Sequence, residues 1–319
     1  MSSSFRCILV TGAAGCAGRH LLELALTRGV ELHGIVRSHR ASTNCHLHVG
    51  DISESHFIDS VIEEVRPDAI FHLAAKIPGG TPAPTPEEFI TSNILGTHNV
   101  LSAVCRRAPS ARVLVAGSSA VYGRPQFPDE VLSETAPFQP QSIYAVTKAA
   151  QDMLAAQFFT EYGLLTIRAR TFNQIGPGEP SGLVAATLAR QIVRIETGLQ
   201  EPILHVGTLL PSRDFTDVRD VVRAYWDALE HGVAGEAYNV CAGQTTSVRD
   251  LADALVGLSR IQNIEIIETG PPPGPLAILT QKGDASKLSA ASGWTAKLSI
   301  RQSLKDLLDS LRTLPPLIT

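Results

Sequence analysis

The stretch that decides the fold is Ile8-Leu-Val-Thr-Gly-Ala-Ala-Gly-Cys-Ala-Gly18. An apolar run typical of a buried strand ends in three glycines with the spacing GxxGxxG, and a helix-compatible stretch, Leu21 to Leu26, follows. A strand, a glycine turn and a helix in this order form the context of a dinucleotide-binding fingerprint. Gly12 is expected to make the tight turn, Gly15 to let backbone approach a pyrophosphate, and Gly18 to permit close packing of helix on strand. A plain tight turn between a strand and a helix is the alternative.

Strand-like and helix-like patterns alternate outward from this stretch to about residue 170. Strands are predicted at 6–11, 31–36, 46–49, 69–73, 111–117, 164–170 and, further on, 236–240, and helices near 18–28, 54–65, 87–107, 142–162, 183–196 and 218–230. Short buried strands that alternate with helices indicate an α/β fold, a doubly wound parallel sheet of the Rossmann type. We expect a dinucleotide-binding domain over residues 1–172, with returning segments near 214–243, and a smaller, mainly substrate-binding domain over 173–319.

Composition and charge exclude several classes of protein. The net charge of −4 comes from 27 basic and 31 acidic residues that are well mixed, so no nucleic-acid partner is expected. No uncharged apolar run approaches ~18 residues and the first residues lack the apolar core of a signal peptide, so we expect a cytoplasmic protein with no membrane partner. The five cysteines include no CxxC, and His46 and His48 have no third ligand nearby in sequence, so neither disulfides nor a metal is expected.

A second motif, Tyr144-Ala-Val-Thr-Lys148, carries candidate chemistry. Residues four apart lie on the same face of a helix. A free phenol has a pKa near ~10 and exchanges protons poorly at neutral pH, but a neighbouring ammonium favours the phenolate. The spacing therefore predicts a tyrosine whose pKa is lowered by Lys148, with a packing tyrosine and a surface lysine as the alternative.

With these motifs in place, the chain resembles the extended short-chain dehydrogenase/reductases that act on nucleotide sugars, over nearly its whole length. The supporting motifs are His72-Leu-Ala-Ala75, Gly117-Ser-Ser-Ala-Val-Tyr-Gly123 and Arg170-Thr-Phe-Asn-Gln-Ile-Gly-Pro-Gly178. Within that family it is most similar to the GDP-6-deoxy-4-keto-mannose reductases, through Arg213-Asp-Phe-Thr-Asp-Val-Arg-Asp220, residues 191–202 and Tyr238-Asn-Val-Cys-Ala-Gly243.

The resemblance implies a role for particular residues of this chain. Tyr144 would exchange a proton, Ser118 would hydrogen-bond the reacting oxygen, and Lys148 would hold the nicotinamide ribose, with Ser119 beside them at the substrate. A strand-end serine that satisfies backbone groups is the alternative for Ser118. The implied cofactor contacts are Gly12, Gly15, Cys16, Ala17, Gly18, Arg37, Asp51, Ile52, Leu73, Ala74, Ala75, Lys76, Asn93, Tyr144, Lys148 and Phe172. For Asn93, a bond to backbone is at least as good an interpretation as a cofactor contact.

The segment Gly34-Ile-Val-Arg-Ser-His-Arg40 favours one cofactor over the other. Sites that prefer NAD usually have an acidic residue here for the ribose 2′-hydroxyl, and this segment has none. Arg37 would instead meet a 2′-phosphate with charge-assisted hydrogen bonds. We therefore expect NADP(H) rather than NAD(H), with a solvated loop arginine as the alternative for Arg37.

Two departures from the family pattern bear on the reaction. Similar sugar 4,6-dehydratases have a glutamate two residues before the tyrosine of the VYG motif, where this chain has Ala120, which cannot transfer a proton. Asn173 and Arg213 match family positions that contact the nucleotide sugar, Arg213 at the diphosphate, although an ion pair with Asp214 or Asp217 is an alternative. A second expected arginine and an acidic residue are replaced by Gly274 and Ala277, for which Arg219 or Lys282 could compensate.

The sequence thus predicts an NADP(H)-dependent reductase that transfers a hydride to C4 of a 4-keto-6-deoxy nucleotide sugar, with GDP-4-keto-6-deoxy-mannose as the expected substrate. A nucleotide-sugar 4-epimerase with retained NAD is the alternative, and a non-catalytic NADP-sensing regulator is an alternative of a different class. The apolar faces of the helices near 87–107 and 142–162 match the pair through which this family commonly forms homodimers.

Overall fold

The computed structural model of the chain describes residues 4–38, 45–79, 82–127, 129–274 and 276–313. The strands are β1 (Cys7–Thr11), β2 (Glu31–Val36), β3 (His46–Val49), β4 (Ala69–His72), β5 (Arg112–Ala116), β6 (Val131–Leu132), β7 (Leu165–Thr171), β8 (Asn173–Ile175), β9 (Ile203–Val206), β10 (Ser212–Asp217), β11 (Ala237–Val240), β12 (Thr245–Ser247), β13 (Glu265–Glu268) and β14 (Thr280–Gly283). The helices are α1 (Cys16–Leu26), α2 (Ser55–Val65), α3 (Pro86–Phe89), α4 (Gly96–Arg107), α5 (Ile143–Tyr162), α6 (Val184–Glu196), α7 (Val218–His231), α8 (Val248–Val256), α9 (Ser286–Ser292) and α10 (Ile300–Arg312).

The predicted α/β fold with a doubly wound parallel sheet is confirmed. Seven strands form one sheet in the order β11-β7-β5-β4-β1-β2-β3, and every neighbouring pair in it is parallel. The helix predicted near 87–107 is in fact α3 and α4 joined by a π-helical segment, Ile90–Leu95.

The uninterrupted apolar run of β1 reflects burial on both faces of this sheet. Ile8 and Val10 pack into a core built with α1 and α7, whereas Leu9 faces a second core built with α2, α4 and α5. Successive side chains of a strand point to opposite faces, so a strand covered on both sides needs apolar residues at every position. Within the described ranges, no helix has the length and apolarity needed to cross a membrane.

A second layer lies beyond the large sheet. β10 is its central strand, in a sheet of order β12-β10-β14-β6, and it also pairs with β8. Helices α6, α8 and α10 pack on one another through buried leucines and isoleucines, among them Ile192, Leu251 and Leu307. This layer brings β8, β10 and β14 close to the carboxyl ends of β1, β4, β5 and β7, where the sequence motifs lie.

Candidate functional site

The glycine loop after β1 is shaped by contacts that only glycine allows. Gly12 has a φ of +71°, and a Cβ atom there would lie 2.9 Å from backbone atoms of Ala74. A Cβ on Gly18 would lie 2.3 Å from the carbonyl oxygen of Gly12. Gly15 is the N-cap of α1 and supplies no side-chain cap, so the first N–H groups of this helix remain available to an anion. The loop therefore fits the pyrophosphate of a dinucleotide.

The segment after β4 is fixed by a buried histidine. The Nδ1 of His72 lies 2.8 Å from Oγ1 of Thr11, and its Nε2 lies 2.9 Å from Oγ1 of Thr97. Burial lowers the pKa of His72 to about 3, so the ring is neutral at physiological pH and bridges Thr11 and Thr97 by hydrogen bonds. The N–H of Ala74 donates to Oγ1 of Thr11 at 3.1 Å, which holds the backbone of this segment against the glycine loop.

Tyr144, Ser118 and Lys148 come together at the carboxyl end of β5. Tyr144 and Lys148 lie in the first turns of α5, and Ser118 caps the 3₁₀ turn Ser119–Tyr122 by accepting from the N–H of Ala120 at 3.2 Å. The Ser118 hydroxyl lies near that of Tyr144 and favours its ionised form. The ammonium of Lys148 donates to the carbonyl oxygen of Ala116 at 2.8 Å and lies 6.0 Å from the centre of the Tyr144 ring.

The predicted lowering of the pKa of Tyr144 was wrong. Burial raises the pKa of Tyr144, and only the Ser118 hydroxyl acts against that rise. Burial also lowers the pKa of Lys148 to about 7, so the lysine itself carries only part of a charge near neutral pH. Desolvation penalises the charged form of each group.

α5 is anchored to the sheet behind the site by a buried ion pair. Nε and Nη2 of Arg170 donate to Asp152 at 2.8 and 3.0 Å, and Nη1 of Arg168 donates to the same carboxylate at 2.8 Å. Arg170 also donates to the hydroxyl of Tyr122 at 3.2 Å. The motifs around Tyr122 and Arg170 therefore fix the position of the helix that carries Tyr144.

A smaller cavity of about 330 Å³ lies on one side of the glycine loop. Of the expected cofactor contacts, its wall contains Gly12, Gly15, Arg37, Asp51, Ile52, Leu73, Ala74, Ala75 and Lys76. Arg37 is exposed, Asp51 accepts from the N–H and the hydroxyl of Ser53 at 2.9 Å each, and Lys76 pairs with Glu88 at 2.8 Å.

A larger cavity of about 580 Å³ lies on the other side and joins the cofactor loop to the second layer. Its wall contains Gly12, Gly15, Cys16, Ala17, Gly18, Leu73, Ala75, Ser118, Ser119, Ala120, Tyr144, Phe172, Asn173 and Arg213. The structure thus brings Ser118, Tyr144 and most of the expected cofactor and substrate residues to the walls of two cavities, which share Gly12, Gly15, Leu73 and Ala75.

Asn93 and Ser119, two of the predicted site residues, already have hydrogen-bond partners within the protein. Asn93 is fully buried, accepts from the N–H of Lys76 at 2.7 Å, and donates to the carbonyl oxygen of Lys76 at 3.1 Å. It lies outside both described cavity walls, as Lys148 does. Ser119 gives its hydroxyl proton to Oε1 of Gln281 at 3.0 Å. The backbone interpretation of Asn93 agrees with these contacts.

Arg213 lines the larger cavity and has no carboxylate partner among the described residues. Nη1 donates to the carbonyl oxygens of Ser212 and Leu279 at 2.9 and 3.1 Å, and Nη2 donates to that of Ile278 at 2.7 Å. The alternative ion pairs are not formed, because Asp214 accepts from backbone N–H groups of the loop at 242–243 and Asp217 pairs with Arg219 at 2.8 Å.

The loop that contains Gly274 and Ala277 lacks the second expected arginine, but its backbone carbonyl groups bind Arg213. Gly274 and Ala277 line neither described cavity, but Ile278 and Leu279 supply carbonyl oxygens to Arg213. Arg219 is not free to replace the missing arginine, because it pairs with Asp217 and Asp306, each at 2.8 Å. Lys282 does not reach the described wall of either cavity.

Gln281 and Glu179 are among the residues of the larger cavity that were not predicted from the sequence. Gln281 of β14 donates from Nε2 to the carbonyl oxygens of Ser119 and Gly123, at 3.2 and 3.0 Å. Glu179, 6% exposed, follows the glycine- and proline-rich loop after β8. β14 has no apolar alternation to reveal it, whereas the position of Glu179 directly after Gly176-Pro-Gly178 was a signal that could have been used.

Comparisons with known proteins agree with this geometry. The family model described as GDP-mannose 4,6 dehydratase matches residues 9–307. The GDP-6-deoxy-D-mannose reductase of Pseudomonas aeruginosa is 33% identical over 304 residues, which cover 94% of this chain and 95% of the relative. A structure of RMD from Pseudomonas aeruginosa complexed with NADPH aligns with a TM-score of 0.83 at 33% identity, over 96% of this chain and 99% of that one. The UDP-glucose 4-epimerase of Thermus thermophilus, in complex with NAD, aligns with a TM-score of 0.83 at 27% identity, over 96% and 99% of the two chains.

A Rossmann sheet with a glycine loop, a Ser/Tyr/Lys set and a second layer over the cleft defines an extended short-chain dehydrogenase/reductase. The chain belongs to the GDP-mannose 4,6-dehydratase family of these enzymes. It is therefore an enzyme of the nucleotide-sugar dehydratase/reductase group.

Proposed function

We propose that the protein is an NADP(H)-dependent reductase of a 4-keto-6-deoxy nucleotide sugar, with GDP-4-keto-6-deoxy-mannose as the substrate. One observation carries the proposal: Tyr144 and Ser118 line the same cavity as the glycine loop and Arg213, while Ala120 stands where a dehydratase needs a carboxyl. The similarity to a GDP-6-deoxy-D-mannose reductase supports the same substrate.

The protonation state of the site suits reduction. When bound, NADP(H) supplies a hydride to the sugar carbonyl. Because burial raises the pKa of Tyr144, its hydroxyl is protonated at neutral pH and can give a proton to the alkoxide that forms at C4. Ser118, which lines the same cavity as Tyr144, is proposed to polarise the same oxygen. Lys148 fixes α5 to β5 through Ala116, and its remaining N–H groups are proposed to hold the nicotinamide ribose.

The preference for NADP(H) rests on Arg37. Its exposed guanidinium lies on the wall of the smaller cavity, at the end of a strand that offers no carboxylate for a 2′-hydroxyl. The NADPH in the aligned RMD structure supports this choice. Asp51, Ile52 and the segment 73–76 line the same wall and would surround the adenosine half of the cofactor.

On the substrate side we propose that Arg213 binds the diphosphate and Asn173 contacts the sugar nucleotide. Three carbonyl oxygens hold the guanidinium of Arg213 in place, so little side-chain entropy is lost when it binds an anion. The remaining residues from 173 onward would then form the substrate-binding domain, while residues 1–172 bind the cofactor together with the returning segments near 214–243.

Two other reactions fit the same fold less well. A 4-epimerase needs the same Tyr and Ser groups, and the aligned UDP-glucose 4-epimerase binds NAD, but Arg37 favours a cofactor that is exchanged. Dehydration needs an acid and a base near C5 and C6. Among the described residues that line the larger cavity, Glu179 is the single carboxyl, and Ala120 offers no second one.

We also propose a cytoplasmic homodimer formed through α4 and α5. Large apolar side chains are exposed along α5, among them Val146 at 46% and Met153 at 64%. Such a patch commonly marks a protein interface. Met153→Glu would yield a monomer in sedimentation velocity; an unchanged dimer would exclude this face.

The reductase is tested by following NADPH absorbance when the purified protein is given GDP-4-keto-6-deoxy-mannose. Stoichiometric oxidation with a GDP-6-deoxyhexose product is expected. NADPH binding without oxidation would exclude this substrate and direct the search to epimerisation of unreduced nucleotide sugars. A sensor would bind NADP(H) and turn over neither class of substrate.

A further inference from the structure

Five side chains of types that bind metals lie together on one face of the large sheet. Cys7 pairs with Glu31 across β1 and β2, and His33 pairs with His46 across β2 and β3. Side chains of paired residues, and of residues two apart in a strand, point to the same face of a sheet. His48 therefore shares this face with the other four. None of the five lines either described cavity, so the proposed reaction does not use them.

Three of these residues have the separations of a metal site. The ligand atoms of Cys7, Glu31 and His33 all lie within 4.8 Å of one another, and Nε2 of His33 is 3.0 Å from Oε1 of Glu31. Thiolate, imidazole and carboxylate ligands bind Zn²⁺ at about 2.0–2.3 Å, which places tetrahedral ligands about 3.3–3.6 Å apart. Side-chain movements of about 1 Å therefore complete the geometry. The side chain of Glu31 is 60% exposed, so a cation can enter from solvent and keep a water as its fourth ligand.

The ring of His33 is held in the orientation that a cation needs. Its Nδ1 lies 3.0 Å from Nε2 of His48, and it stacks on the rings of His46 and His48 with centroids 5.1 and 5.3 Å apart. The His33 side chain is only 11% exposed. Because His48 occupies Nδ1, Nε2 is the nitrogen that remains for a cation. Metal-binding histidines usually make a hydrogen bond through the other ring nitrogen, which fixes their tautomer and orientation.

The charges around Cys7 favour a cation. Burial raises the pKa of the Cys7 thiol to about 11, and the negative charges of Glu31 and Asp68 add to this rise. The same two carboxylates attract a divalent ion, which displaces the thiol proton when it binds. The thiol itself makes only a weak contact, 3.9 Å from Sγ to the carbonyl oxygen of Val65, so little is lost when Sγ turns to a cation.

We propose that Cys7, Glu31 and His33 bind a divalent cation of borderline softness, Zn²⁺, and that His48 is the positioning residue for His33. The ion would link β1 to β2 and, through His48, to β3. Nitrogen, sulfur and carboxylate ligands together suit Zn²⁺ rather than Mg²⁺ or Ca²⁺. This proposal replaces the expectation of no metal, which rested on the lack of a third ligand near His46 and His48 in the sequence. The ligands lie on the neighbouring strands instead.

The test is Zn²⁺ binding to the untagged full chain after treatment with a chelator and a reductant, measured by calorimetry. We expect one Zn²⁺ per chain, and with Co²⁺ in its place the charge-transfer absorption of a cysteine thiolate. Cys7→Ser and His33→Gln should raise Kd about 100-fold or more, and His48→Gln about 10- to 100-fold, because it removes only the outer hydrogen bond. His56→Gln and Cys105→Ser change the same residue types elsewhere in the fold and should keep the wild-type Kd.

Absence of Zn²⁺ binding by the wild type would overturn the proposal, as would wild-type affinity in Cys7→Ser or His33→Gln. An equal rise of Kd in the two control variants would mean nonspecific binding and would overturn it as well. Glu31→Gln changes an exposed side chain and should raise Kd about tenfold or more, since an amide is a poorer ligand than a carboxylate. This variant decides the question if Cys7→Ser does not fold.

The metal site can be tested separately from the proposed function. The ligands lie outside both described cavities, so every folded variant should bind NADPH as the wild type does, which also serves as the check of folding. Oxidation of NADPH with the keto-sugar is measured without added metal. A protein that binds Zn²⁺ but leaves the keto-sugar unreduced would contradict the proposed function alone, and the reverse result would contradict the metal site alone.

Discussion

The two sides of the cleft are built in different ways. The cofactor side consists of short segments that each follow directly after a strand of one parallel sheet, at Gly12, Leu73 and Gly117. The substrate side is assembled from β8, β10, β14 and the loops beside them, which are far apart in the chain and meet only in the second layer. On the proposed cofactor side backbone geometry would do the binding, whereas on the proposed substrate side specificity would depend on a few side chains such as Arg213. Substitutions should therefore separate cofactor binding from substrate binding cleanly.

The largest difference between the effect on catalysis and the effect on cofactor binding is expected for Tyr144→Phe. This change removes the hydroxyl that lies near Ser118 but leaves the ring in place. Loss of the proton donor should lower kcat by about 10²–10⁴-fold, while the glycine loop keeps its affinity for NADPH. Stopped-flow oxidation of NADPH and a fluorescence titration of NADPH binding measure the two effects.

The matched control is Tyr162→Phe at the other end of the same helix, where the side chain is 54% exposed. It should leave kcat unchanged. If Tyr144→Phe kept wild-type turnover, or if both variants lost it equally, Tyr144 would not be the proton donor.

Arg213→Gln should affect the opposite side of the cleft. A charge-assisted hydrogen bond to a phosphate contributes about 1.5–3 kcal/mol, so KM for the nucleotide sugar should rise about 10- to 100-fold while KM for NADPH stays the same. Steady-state kinetics with each substrate varied in turn provides the comparison. Arg249→Gln on α8, where the residue is exposed, is the control. An equal rise of both KM values would show that Arg213 supports the fold of the cleft rather than the diphosphate.

Arg37→Glu is expected to change only the choice of cofactor. A carboxylate repels a 2′-phosphate and accepts a hydrogen bond from a 2′-hydroxyl, so the ratio of kcat/KM for NADPH over NADH should fall by about tenfold or more. Arg301→Glu, an exposed position on α10, controls for the change of net charge. An unchanged ratio would count against the NADP(H) proposal.

The cofactor side could be predicted because its signals are local. The apolar run into Gly12 and the spacing of Tyr144 and Lys148 are each contained in one strand or one helical turn, and the seven strands of the large sheet were predicted in the same way. The sign of the shift in the pKa of Tyr144 was not predictable, because spacing shows which side chains share a helix face but not how deeply they are buried.

The substrate side shows the limit of such reasoning. β14 reads Thr-Gln-Lys-Gly and has neither apolar alternation nor a β-branched run. Gln281 in this strand reaches the turn at Ser119, which is 162 residues away along the chain. Only the folded second layer reveals contacts of this kind.

The smallest effect is expected for Gln281→Leu, which tests whether the second layer holds the catalytic turn in place. Leucine fills a similar volume but leaves the carbonyl oxygens of Ser119 and Gly123 without the donor that they have now. Burial of unsatisfied groups costs about 1–3 kcal/mol of unfolding free energy, which a denaturant titration measures. Because Ser118 precedes this turn, kcat should fall modestly, whereas NADPH affinity should not change. Gln262→Leu, at an exposed position, should change neither the unfolding free energy nor kcat. A loss of NADPH affinity in Gln281→Leu would mean that the two sides of the cleft are coupled rather than independent.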